Sequence, residues 1–464
     1  MTRPNHGQLH PVTDNRTHDL KMRLSPTAHN YQLLLSLLAV LVCGLWGLRV
    51  TYDFVRALPD TDIIAGDPVD TTLIVQGLEA TSGWEQTLSW WTGPWVAWTG
   101  KGSIASFYRP LTSLLWWIEY RAFGRQGLYG FTTVHALSHL LVLMAALLFL
   151  RELLGLKIAT LSVCLYGLHL PYYSFNLPDC IYALPMWKDS PDLWCSAAYL
   201  VSLWCFLKFM RGSSKWWLGS SICCFIVALS VKEMAYTLPF ALLLLLYHER
   251  KLVSHWRFAV PFYLVAAGAF AFRFWALQGY GFRFGTNGSW ADRWLLNVVG
   301  GAPVARLLYG DGFPLAIACL VAALLWGLTG KSRRWQLALV VAASWGLWLS
   351  ARQGHEFEDP FYYQLAGSLL PWKNALLTLA LLFLMWRFIA NRQRGQAFGW
   401  LWVVITYIPL MTAPITQHAL YLVALGWSIW LAYALSDILA LAGTGRSLLQ
   451  SPLGRLQDGR TESI

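Results

Sequence analysis

Apolar residues fall in blocks along most of the chain, each about as long as the 17 to 25 residues an α-helix needs to cross a bilayer's hydrocarbon core. The blocks predict membrane spans at 32–51, 128–150, 157–175, 193–210, 216–231, 234–248, 256–277, 313–330, 335–351, 374–391, 397–413 and 419–442. The polar intervals alternate in kind. Short ones are basic, as at Arg151/Lys157, Arg211/Lys215, Arg250/Lys251, Lys331/Arg333/Arg334 and Arg392/Arg394. Longer ones carry carboxylates and aromatic rings. The first, about residues 52 to 127, holds Asp53, Asp60, Asp62, Asp67, Asp70, Glu79, Glu85 and Glu119.

Twelve spans return both termini to one side. With the tails and basic loops assigned to the cytoplasm, that side collects 21 Lys and Arg against 7 Asp and Glu, and the other side holds 14 against 17. The asymmetry follows the positive-inside rule. The organisation expected is a cytoplasmic tail over 1–31, a transmembrane domain over 32–443 with its first large outer loop at 52–127, and a cytoplasmic tail over 444–464.

Composition agrees. Of the 464 residues, 56% are hydrophobic and 13% charged, and the mean hydropathy is +0.45, which excludes an ordinary globular domain. Lipid offers no partner to unpaired backbone groups, so the fold class expected is all-α and polytopic. The net charge of +11 is accounted for by the basic loops and calls for no nucleic-acid partner. The 27 tryptophans suit the headgroup level of a bilayer. No small-residue cleavage site follows the first apolar block, which reads as a retained span. The eight cysteines form no CxxC pair, and Cys180 alone is expected in an outer loop.

One apolar stretch, "ALSVKEMAYTLPFALLLLLY" from Ala228 to Tyr247, holds adjacent opposite charges at Lys232 and Glu233. A single helix over 216–248 would be about 50 Å long at 1.5 Å per residue, too long for the bilayer. Two short spans meeting at Lys232 and Glu233 keep the parity and put a tight hairpin at the outer surface. His135 and His139 stand four residues apart within a span, a spacing that can hold a metal, but no carboxylate lies near them in sequence and hydrogen bonding inside the bundle is the commoner role.

The order of polar segments resembles the multi-span glycosyltransferases of the GT-C superfamily, above all bacterial relatives of the transmembrane O-mannosyltransferases with tetratricopeptide repeats. "FYRPLTSLLWWIEYRAFG" is similar to their F-R-P-L-(S/T) segment and following amphipathic helix. "GFTTVHALSHLL" stands where a G-Y-H-x-x-N-x-x-L-H pattern occurs, followed by "LHLPYY", "WKDSPDLWCSAAYL" for an Arg-x-Asp at a span start, "LSVKEMAYTLPFALLLL" for a Ser-Lys-Glu before a Pro-containing span, and "QHALYLVALG" for R-Y-L-Y-L-P-S-L-G. The chain departs from the pattern at three points. Asp67 and Asp70 are the nearest equivalent of the family's adjacent acidic pair, His418 and Val423 replace the Arg and Pro of the late motif, and no repeat domain follows the last span.

The resemblance, over roughly residues 50 to 430, implies transfer of a sugar from a polyprenyl-phosphate carrier on the outer face of the bacterial cytoplasmic membrane. Such transfer needs a carboxylate to accept the acceptor's proton and cations or a metal to stabilise the departing phosphate. Asp67 and Asp70 are the foremost expected catalytic carboxylates, with Asp53 and Asp62 behind them. Arg109, Lys232 and Arg273 are expected to address the phosphate. Lys188, Asp189, Asp192 and Glu233 are expected to line the site, with a divalent metal as the admissible cofactor, and His418 and Tyr421 come from the late motif. The partners expected are membrane lipids, a polyprenyl-phosphate-linked sugar and an acceptor that is a glycan, lipid or protein. Two other readings stand beside this one: a non-catalytic scaffold or assembly subunit with a degenerate GT-C fold, and a transporter of lipid-linked glycans.

Overall fold

A computed structural model describes residues 26–57, 62–63, 68–96, 107–168, 189–279, 394–407, 421–430, 432–433 and 435–436. All regular structure among them is helical. The expected spans at 313–330, 335–351 and 374–391 lie outside the described residues, so the count of twelve does too.

The long helices are α1 (Pro26–Ala57), α6 (Leu128–Leu154), α7 (Leu156–Gly167), α8 (Ser190–Met210), α9 (Trp216–Val231), α10 (Leu238–His248), α12 (Val260–Ala276) and α13 (Arg394–Tyr407), with α14 over Tyr421–Trp430. Three helical stretches are long and apolar enough to cross a bilayer: Leu128–Leu154, Ser190–Met210 and Leu252–Ala276. The last begins earlier than the 256–277 block predicts, because α11 (Leu252–His255) and a 3-10 turn (Trp256–Ala259) lead into α12.

Glycine and proline punctuate these elements. Gly155, at φ +83°, ends α6 and starts α7 at once. Pro191, Pro239 and Pro261 sit in the first turns of α8, α10 and α12, where a missing N–H costs no hydrogen bond. α8 packs along both α6 and α9. Its contact with α9 is fixed by a reciprocal pair: the Ser202 hydroxyl donates to the Ser221 carbonyl and the Ser221 hydroxyl to that of Ser202, both at 2.7 Å. Small hydroxylated residues allow this close approach between helices. Gly399 on α13 and Gly426 on α14 also meet closely, since a Cβ on either would lie within 2.8 Å of the other's carbonyl oxygen.

The two ends of the bundle differ. At one, Glu152 holds Lys208 (2.5 Å) and Arg211 (3.0 Å), and Arg211 reaches Glu249 at 3.3 Å. The other end is covered by a small subdomain. Its helices are α2 (Pro68–Ala80), α3 (Trp84–Thr87), α4 (Ser89–Thr92) and α5 (Pro110–Phe123). Ile63, Ile74, Val75, Leu78, Trp90, Val96 and Trp116 form its core and share it with Leu128 and Phe131 of α6.

Candidate functional site: a buried ion network under α5

The chain leaves α9 at Lys232 in an extended conformation, φ −155° and ψ 151°, and enters a 3-10 turn over Glu233–Thr237 before α10. The chain does reverse here, since Glu249 and Lys251 after α10 meet Arg211 and the Met210 carbonyl at the far end of α8. The sequence suggests a tight hairpin, and the two charges at this one are largely withdrawn from solvent. The Lys232 and Glu233 side chains are 10% and 19% exposed. An extended residue sends neighbouring side chains to opposite sides, so the two adjacent charges pair with different helices rather than with each other.

Lys232 turns to α8. Its ammonium donates to both carboxylate oxygens of Asp192, at 2.6 and 2.5 Å. Asp192 lies in the first turn of α8, where the helix dipole favours negative charge. Asp189, just before that helix, is also buried. Glu233 turns to α5. Arg109, the residue before that helix, donates to Glu233 Oε2 from Nε (3.0 Å) and Nη2 (2.7 Å). Arg273 of α12 approaches the other oxygen at 3.6 Å. The Arg109 guanidinium also lies 4.0 Å from the Phe107 ring centroid and 5.3 Å from that of Trp95. Thr112 ties α5 down by donating to the Val231 carbonyl at 2.8 Å.

A second polar chain runs deeper. The His139 ring nitrogen Nδ1 meets the Tyr421 hydroxyl at 2.6 Å, and Tyr166 donates to the Tyr421 carbonyl at 3.1 Å. His135 Nδ1 meets the Ser190 hydroxyl at 3.2 Å. Ser190 is two residues from Asp192, and Tyr421 is within electrostatic reach of that carboxylate. Among the described residues no group of three His, Cys, Asp or Glu side chains could hold a metal.

Five of the residues singled out in the sequence, Arg109, Asp192, Lys232, Glu233 and Arg273, therefore meet in one network, with Asp189 and Tyr421 beside it. Asp62 is elsewhere, paired with Arg125 at 2.8 Å in the subdomain. Asp67, Lys188 and His418 lie outside the described residues, as do the side chains of Asp53 and Asp70, whose backbones belong to α1 and α2.

Sequence reasoning passed over Glu119. It lies on the stripe of α5 formed by Thr112, Trp116, Glu119 and Phe123, and it is only 7% exposed. Its Oε2 is buried with no hydrogen-bond partner among the described residues. Burial alone pushes its carboxyl up to about 8. A carboxylate at the apolar position of an amphipathic stripe was the signal available.

The chain matches no family model and no curated protein.

Proposed function

We propose that the chain is a membrane glycosyltransferase that moves a sugar from a polyprenyl-phosphate carrier to an acceptor on the outer face. The observation that supports it most is the arrangement of Arg109 and Arg273 around the single carboxylate of Glu233. Two guanidiniums on one carboxylate leave an excess positive charge, and Arg273 Nε is buried with no partner among the described residues. An unsatisfied buried donor costs about 1–3 kcal/mol, and a phosphate oxygen would satisfy it. Guanidinium forks suit phosphate in both geometry and charge.

In this reading the acceptor group attacks the anomeric carbon and gives its proton to a carboxylate, with Asp67 and Asp70 the foremost candidates. The bond from that carbon to the phosphate oxygen breaks, and Arg109 and Arg273 stabilise the charge gathering on the departing lipid phosphate. Asp192 and Lys232 hold the turn that carries Glu233.

The reading is tested with the full chain in nanodiscs and a labelled polyprenyl-phosphate sugar. Transfer to envelope acceptors is expected, with loss in Asp67→Asn/Asp70→Asn and in Arg273→Gln. Absence of both transfer and binding of polyprenyl phosphate sinks it. A second reading, a scaffold that keeps the network for packing alone, is favoured by one fact: Arg109, Lys232 and Arg273 all already face carboxylates. Binding that leaves the Arg273→Gln variant unaffected would support the scaffold.

A further inference from the structure

Helix α5 docks on the bundle through the stripe that contains Glu119. At one end of the stripe Thr112 binds the Val231 carbonyl. At the other Phe123 packs edge-on against Phe131 of α6, ring centroids 5.6 Å apart, and lies so close over Gly130 that a Cβ there would come within 2.5 Å of the ring. Between them Trp116 is 1% exposed. Glu119 is the one carboxylate on this stripe, buried one turn beyond Trp116.

The described charged side chains on the surrounding elements have other partners or lie exposed. Glu79 of α2 accepts from the Tyr120 hydroxyl and faces Arg125, and Arg125 also holds Asp62. Arg121 of α5 donates to the carbonyls of Thr81 and Ser82. Arg109 is on Glu233, Lys232 on Asp192, and His135 of α6 on Ser190. α3 contributes Glu85, which lies on an exposed turn, and α4 carries no charged residue.

We propose that Glu119 is a proton-operated latch: α5 docks on α6 and α9 with the side chain as a neutral carboxylic acid and loosens when it ionises. Arg109 immediately precedes α5, so the latch also governs how firmly that arginine is held over Glu233. That regulatory consequence rests on the function proposed above, whereas the latch itself does not. The sign follows from burial. Glu119 binds its proton more tightly docked (about 8) than free in water, so docking is strongest below the ordinary carboxylate range and is lost progressively as pH rises through about 8. Within that window one group of this kind changes the docking equilibrium by up to about tenfold per pH unit.

The test is hydrogen exchange on the full chain in nanodiscs, corrected for the chemical exchange rate, over residues 110–123 at pH 6 and pH 9. Protection in the native chain is expected to fall by at least tenfold between the two, while Glu119→Gln, isosteric and without a charge, keeps its protection at both. Because the native chain is itself titrated, a poorly folding variant does not spoil the experiment. Native protection that is flat with pH overturns the latch, and so does an equal loss in a folded Glu119→Gln chain. No sugar donor is used, so a chain that fails every transfer assay and still shows the titration refutes the function alone.

Discussion

Replacing Lys232 by methionine removes the cation from a buried pair in which both oxygens of Asp192 are engaged, at 2.6 and 2.5 Å. With the two side chains 10% and 6% exposed, water screens the pair poorly. At 2.6 Å and an effective dielectric of 20 the Coulomb attraction is about 6 kcal/mol. Desolvation of the two ions offsets most of it, at several kcal/mol each. The pair as a whole is therefore close to neutral in stability, but half of it is not. Asp192 left alone among Leu193, Cys195 and Ser190, all buried, makes Lys232→Met cost about 3–5 kcal/mol. Lys232→Met/Asp192→Leu, which removes both charges, is expected to fall within about 1.5 kcal/mol of the native chain or to be more stable than it. Equilibrium unfolding in mixed micelles measures all four corners of the cycle. A single substitution costing under 1 kcal/mol, or a double one costing the sum of the singles, refutes the reasoning. The double variant also separates roles: if Lys232 addresses the lipid phosphate, it folds but loses binding of polyprenyl phosphate.

Four further outcomes are expected. Arg109→Lys loses the two-nitrogen grip on Glu233 and the stacking on Phe107, weakening the coupling to Glu233 by about 1–3 kcal/mol in a double-mutant cycle with Glu233→Gln. Tyr421→Phe removes the 2.6 Å contact with His139 and lowers unfolding stability by about 0.5–1.5 kcal/mol, whereas Asp62→Asn, in a pair whose arginine is 47% exposed, costs less than about 1 kcal/mol. Gly399→Leu drives a side chain into the Gly426 carbonyl and is expected to part α13 from α14, read as new exposure of Trp402 in quenching experiments.

The chain by itself determines that the protein is built of apolar helices, because block lengths and the scarcity of charge are one-dimensional properties that lipid and backbone hydrogen bonding translate directly into helices. The boundaries of α9 and α5 are equally local: Trp216–Val231 coincides with an apolar block, and Pro110 and Gly124 bracket a helix in the sequence itself. The reversal at Lys232 is legible too, as a consequence of length. What the tertiary structure alone decided is who meets whom. Adjacent in sequence, Lys232 and Glu233 mark a tight hairpin without naming their partners, and the extended backbone at Lys232 sends one to Asp192, 40 residues away, and the other to Arg109, 124 residues away. His139 finds Tyr421 across 282 residues. Glu119 looked like one more loop carboxylate because charge reads as exposure in a sequence, and only the packing of α5 against its neighbours buries it. Ion pairs are chosen by distance and by the cost of leaving water, and both are set by packing between helices, which no local stretch of the chain contains.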